Sequence, residues 1–207
     1  MSPAPSLAEL VQPRHTAVVT QECQQGVVGP GAGLRLLAEE AQREAVPNLV
    51  RLLPVARAAG SFVVHCLAHR RPDGLGSNHN ARLFAGAAGL GTDLSPGSPG
   101  GSVLPELGPE PSDLVLARLH GVGPMGGTDL DAVLRNLGVT TIVATGVSVN
   151  VAITNLVMDA VNKGYQVVVP RDAVAGFPRD YADAVLDGTI ALLATITSTD
   201  ALIDAWS

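Results

Sequence analysis

The chain has 207 residues, 46% hydrophobic but only 3% aromatic, and a formal net charge of −6. That length suits one domain whose core is built from Ala, Val, Leu and Ile. An acidic balance with no basic stripe argues against nucleic acid or an anionic membrane surface as partner. No apolar run reaches the roughly 18 residues of a membrane span, and no basic-then-apolar leader opens the chain, so the cytoplasm is the expected compartment.

Residues 1–14 are Pro-rich and patternless and read as a loose N-terminal arm, leaving residues 15–207 as one domain. Thr16–Gln21 (TAVVTQ) is a first strand, followed by a Gly-rich loop over 26–33. A helical pattern runs over 34–59 with Pro47 and Pro54 inside it, which predicts a break near Val46 because proline lacks the amide donor and disfavours helix before it. Residues 61–67 (SFVVHCL) form a second strand. Residues 68–112 are rich in Gly, Pro, Ser and Asn, a loop long enough to be a lid, a binding loop or an oligomer contact. A third strand follows at 114–117.

The second half alternates more regularly. It reads as a helix over 128–137 with Thr128 as N-cap, a strand over 140–145, a helix over 149–162 closed by Gly164, a strand over 165–170 and a helix over 178–195. A short edge strand is expected at 198–202. Strand and helix in this rhythm give right-handed βαβ units and a parallel sheet covered on both faces, a three-layer α/β/α, Rossmann-like fold.

Ligands of such sheets bind beyond the carboxyl ends of the strands, which selects residues 21–29, 67–79, 118–127 and 146–153. Glu22 stands just past a buried strand, where a carboxylate serves as a general acid or base or else binds loop amides. Gly146 permits a sharp turn, and the amides of the helix that follows offer an anion or oxyanion site. Asn150 either contacts ligand or caps that helix, and His120 either contacts an acidic ligand or caps a loop. His65, His69, Asp73 and His79 are too loosely spaced for a metal motif, so no metal or other cofactor is expected. Cys23 and Cys66 each sit in an apolar run and read as small buried hydrophobes.

The stretch GVSVNVAI at 146–153, followed by MDAVNKGYQVVVPRDAVAG at 158–176, resembles the isochorismatase-like, or cysteine hydrolase, superfamily. E-C-Q at 22–24 and GTDLDAVLRNLGV at 127–139 extend the likeness over roughly residues 16–201. The resemblance implies a six-stranded, mostly parallel sheet of order 3-2-1-4-5-6. It also implies a small-molecule substrate and a homodimer or homotetramer. The family's machinery is an Asp that takes a proton, a Lys that stabilises charge and a Cys that attacks a carbonyl. This chain departs at all three positions. Glu22 replaces the Asp, Ala152 replaces the Cys, and the Lys position falls on Arg118 or Leu119, depending on the alignment. Alanine at position 152 removes covalent catalysis, since no thiolate can form.

Isochorismatases proper also lack the Cys and use their acidic residue to protonate substrate. Two expectations therefore stand. One is a hydrolase without a covalent intermediate, with Glu22 as acid/base, Arg118 or His120 as electrostatic partner, and Gly146, Val147, Ser148, Asn150 and Val151 around the ligand. The other is a catalytically inactive relative that binds a small molecule or serves assembly.

Overall fold

The computed structural model describes residues 5–207. Seven strands lie in one sheet: β1 (Thr16–Gln21), β2 (Phe62–Ala68), β3 (Leu114–Arg118), β4 (Thr141–Val147), β5 (Gln166–Pro170), β6 (Val174–Ala175) and β7 (Thr195–Thr197). Their order is β3-β2-β1-β4-β5-β7, with β6 paired to the end of β4, and every pairing is parallel. The expected 3-2-1-4-5-6 order is therefore present, its sixth place taken by β7, and β6 adds two residues that the sequence pattern did not show.

Period-two alternation splits the core between the sheet faces. Val18, Val63, Leu67, Val143 and Val168 pack under α4 (Val46–Ala59) and α9 (Thr199–Trp206). Val19, Val64, Cys66, Ile142 and Val169 pack under α6 (Leu130–Asn136), α7 (Thr154–Asn162) and α8 (Arg179–Gly188). β1 is buried along its whole length, as a central parallel strand covered on both faces must be.

Several boundaries differ from the sequence expectation. Residues 7–14 are not loose. Ser6 and Glu9 form a capping box for α1 (Leu7–Leu10), Val11 is fully buried, and Trp206 Nε1 donates to Val11 O at 2.7 Å. Residues 1–4 of the expected arm lie outside the described residues. The 34–59 helix does not break at Val46. α3 (Arg35–Glu40) passes through a π-turn, Ala41–Ala45, straight into α4. The wider turn absorbs Pro47, whose ring would clash with the carbonyl four residues back in a regular helix. The expected 178–195 helix ends at Gly188, and residues 198–202 begin α9 rather than forming a strand. Ser198 caps that helix through Ala201 N, and Asp172 Oδ1 accepts from both Thr199 N and its hydroxyl.

The long 68–112 segment is ordered by what it touches. The Gln24 side chain accepts from Ala68 N at 2.7 Å and donates to Ala68 O and Gly101 O. Gln24 also bridges to Val103, and Gly26 N donates to Gly100 O. The loop after β1 and the long segment thus form one wall. Two short helices, α2 (Gln25–Val28) and α5 (Arg82–Ala88), lie within these segments.

The edge strand β3 is anchored by a buried polar chain. Thr20 Oγ1 lies 2.7 Å from His65 Nδ1, His65 Nε2 lies 3.2 Å from Asp113 Oδ2, and Arg57 holds Asp113 through two bonds of 2.7 and 3.0 Å. Burial pushes the His65 pKa down, against the opposing pull of Asp113. Burial alone would raise that of Asp113, but Arg57, the Glu110 amide and His65 together hold it below the usual range. Both folded values are depressed, so both groups contribute stability that is fully present above their unfolded pKa. It drains away below about pH 6.5 for His65 and below about pH 4 for Asp113. Calorimetry from pH 7.5 to 5 is expected to show a falling Tm, with a shallower fall in His65→Gln. Asp113→Ala removes both short bonds of the Arg57 guanidinium, leaving it the longer 3.7 Å contact with Glu110, and is expected to cost about 3 kcal/mol in urea unfolding.

Candidate active site

The carboxyl ends of β1, β2, β3 and β4 surround a cavity of about 200 Å³. Glu22, Arg118, Leu119, His120, Ser148, Val151 and Ala152 all line it. Four of the segments selected from the strand ends thus converge, through the parallel pairing of β1 with β2 and β4 and of β2 with β3.

Arg118 is the last residue of β3, paired in register with Ala68, and is 5% exposed. Its Nη2 donates to Glu22 Oε1. Leu119 is 37% exposed at the cavity rim. The cation is therefore Arg118, and the alternative at Leu119 puts an aliphatic side chain on the wall instead. Nε and Nη1 of Arg118 are closed from solvent and have no acceptor among the described residues. Its charge is balanced by one carboxylate, whose own side chain stays partly open to the cavity.

Ala152 sits within the π-turn Val149–Ile153 that precedes α7 and is 4% exposed. Its methyl group is what this turn offers the cavity where the superfamily pattern has a thiol. Of the amides expected to bind an oxyanion, Val151 N is already bonded to Ser148 O at 3.2 Å, which removes it from that role. Gly146 has φ +100, and a Cβ there would meet Gln21 O at 2.3 Å, so its glycine serves the close packing of β4 on β1 and not a ligand. Val147 and Asn150 are also absent from the cavity wall. Val147 belongs to the core under α4, and Asn150 Oδ1 faces Gly176 from the other side of the turn. His120 reaches the cavity and lies 3.4 Å from Gly127 O.

Much of the wall went unread in the sequence. Leu34 and Leu37, from the helical pattern over 34–59, and Leu83, Phe84, Leu90 and Leu94, from the segment without clear periodicity, belong to its apolar lining. The pair Leu83–Phe84 inside a Gly-rich stretch was the available signal. Among the described residues, no three His, Cys, Asp or Glu side chains gather closely enough to hold a metal ion. His69 Nε2 is 3.0 Å from Gly101 O, and Asp73 pairs with Arg71 at the surface. Nor is any helix among the described residues long and apolar enough to cross a membrane.

The isochorismatase domain model matches residues 16–201. The chain belongs to the isochorismatase family. It is 26% identical over 173 residues to the isochorismatase family protein YwoC of Bacillus subtilis, covering 83% of both chains. To the maleamate amidohydrolase of Pseudomonas putida it is 27% identical over 173 residues, covering 84% of this chain and 78% of that one. The cysteine hydrolase of Pseudomonas syringae pv. phaseolicola superposes with a TM-score of 0.83 at 25% identity, over 95% of this chain and 94% of that one. The fold expected from the sequence is thus shared with solved family members.

Both cysteines lie away from the cavity. Cys23 and Cys66 are 1% exposed and belong to cores on opposite faces of the sheet. Burial pushes both thiols up to about 12, with Glu22 adding to the rise. At pH 8 about one in 10⁴ of either is thiolate. An aromatic disulfide reagent is therefore expected to find no fast-reacting thiol in the native protein at pH 8, and two after denaturation.

Proposed function

We propose that this family member is a small-molecule hydrolase that works without a covalent intermediate. The observation that carries the reading is the carboxylate of Glu22, ion-paired to the buried Arg118 on the wall of a cavity that also contains Ala152. The pairing keeps Glu22 beside a permanent positive charge while leaving it partly exposed to ligand. In this reading Glu22 accepts a proton from water as the water oxygen adds to the substrate carbonyl carbon. It then returns that proton to the departing nitrogen or oxygen. Arg118 offsets the changing charge on Glu22. Position 152 contributes room and no bond.

The lining also bears on the substrate. Leu and Phe side chains dominate, while the ionisable groups are Arg70, Arg118, His69, His79 and His120 against the single carboxylate of Glu22. A ligand with an apolar body and one polar or anionic end suits that balance. The relative that acts on maleamate supports a small amide as the first class to try.

Turnover of maleamate and of other small amides by the pure protein tests the proposal. At least one is expected to be hydrolysed, with kcat lowered about 100-fold in Glu22→Gln. Hydrolysis indifferent to that change would exclude the role given to Glu22. Saturable binding in thermal-shift measurements without any conversion favours the alternative, a binding or assembly protein. Activity that appears only in Ala152→Cys would mark a retired thiol site.

A further inference from the structure

β1 ends in an arrangement that a regular strand forbids. Successive side chains on a strand point to opposite faces, so Gln21 and Glu22 ought to diverge. Glu22 instead has φ +54, the left-handed region that residues other than glycine seldom occupy. The turn brings its carboxylate back beside Gln21, whose Nε2 donates to Glu22 Oε1 at 3.1 Å. Arg118 Nη2 donates to the same oxygen. Two donors therefore converge on Oε1.

Gln21 itself is fully buried. Its register partners are Cys66 and Gly146, and the strand before it is Ala17, Val18, Val19 and Thr20. Its Oε1 is closed from solvent and has no partner among the described residues. The reverse orientation of the amide would set that oxygen against the carboxylate. A glutamine present only to fill space gains nothing from such a site, where a hydrophobe avoids the unpaired oxygen altogether. What the amide does provide is a hydrogen bond to Glu22, made possible by the unusual backbone at residue 22.

We propose that Gln21 is a positioning residue. Together with Arg118 it holds Oε1 of Glu22 and leaves Oε2 as the oxygen that exchanges protons. The proton-exchange clause rests on the hydrolase reading above; the clamp on Oε1 does not. In the reaction, Oε2 takes a proton from water as the water oxygen bonds to the carbonyl carbon. The same proton passes to the leaving group as its bond to carbon breaks, which regenerates the carboxylate. Oε1 accepts from Gln21 and Arg118 throughout, so the carboxylate does not rotate between the two transfers.

Gln21→Leu and Gln21→Met test this, the second keeping the side-chain length without a donor. Infrared difference spectra, each variant against its own Glu22→Gln double variant, isolate the Glu22 carboxylate stretches. The separation of the asymmetric and symmetric bands is expected to change in both variants relative to wild type. With a substrate that wild type hydrolyses, kcat is expected to fall about tenfold while KM stays within about twofold, because the lost contact is to the reacting group and not to the ligand. Bands unmoved in both variants overturn the clamp, and an unchanged kcat overturns its role. If wild type hydrolyses nothing, the hydrolase reading fails by itself, and the infrared result alone decides whether Gln21 holds Glu22.

Discussion

A buried guanidinium has to be neutralised by its neighbours, and among the described residues the carboxylate paired with Arg118 is Glu22. Much of the local structure serves that requirement. β3 carries Arg118 to the sheet edge, and the Thr20–His65–Asp113–Arg57 chain fixes the start of the strand whose last residue is Arg118. The backbone at Glu22 takes a strained φ so that the carboxylate reaches the same side as Arg118 and Gln21. Gln24, one turn further on, ties the strand exit to Ala68 and Gly101, closing the wall over the pair.

The strand order came from the family resemblance. The layers were legible because aliphatic runs separated by helical patterns and joined by right-handed crossovers leave few topologies. Boundaries set by a single local contact were not. Nothing in the period of residues 34–59 shows that a π-turn accommodates Pro47. The run Thr195–Thr199 has strand propensity throughout, yet Asp172, distant in sequence, draws Thr199 into a helix start. The capping box at Ser6–Glu9 was readable, and the prolines around it masked it.

The site was legible where the argument rested on strand ends, and illegible where it rested on direction. Glu22, Arg118 and Ala152 meet in one cavity beyond the ends of β1, β3 and β4. Arg118 and Leu119 both line that cavity, and the cation beside Glu22 is Arg118. Gly146, Val147 and Asn150 were expected around the ligand from the turn after β4, but a tight turn presents its residues to different sides. Gln21 precedes Glu22 on a strand, where successive side chains point to opposite faces, and the positive φ at Glu22 brings the two side chains together.

The three departures from the superfamily pattern are chemically coupled. A thiol nucleophile needs a base to take its proton and a cation to stabilise the resulting negative charge. Once position 152 is alanine, neither demand remains in that form. A lysine is a compact charge whose pKa shifts readily on burial, whereas an arginine stays protonated and offers several donors in a fixed plane. Under the proposed hydrolysis such a partner suits a carboxylate that does the proton transfer, because the charge beside it does not change. The longer side chain of glutamate, turned back by its left-handed backbone, spans to Nη2 of Arg118 on the cavity wall. Under the proposed hydrolysis, Glu22, Arg118 and Ala152 act as one set, with Gln21 positioning the carboxylate.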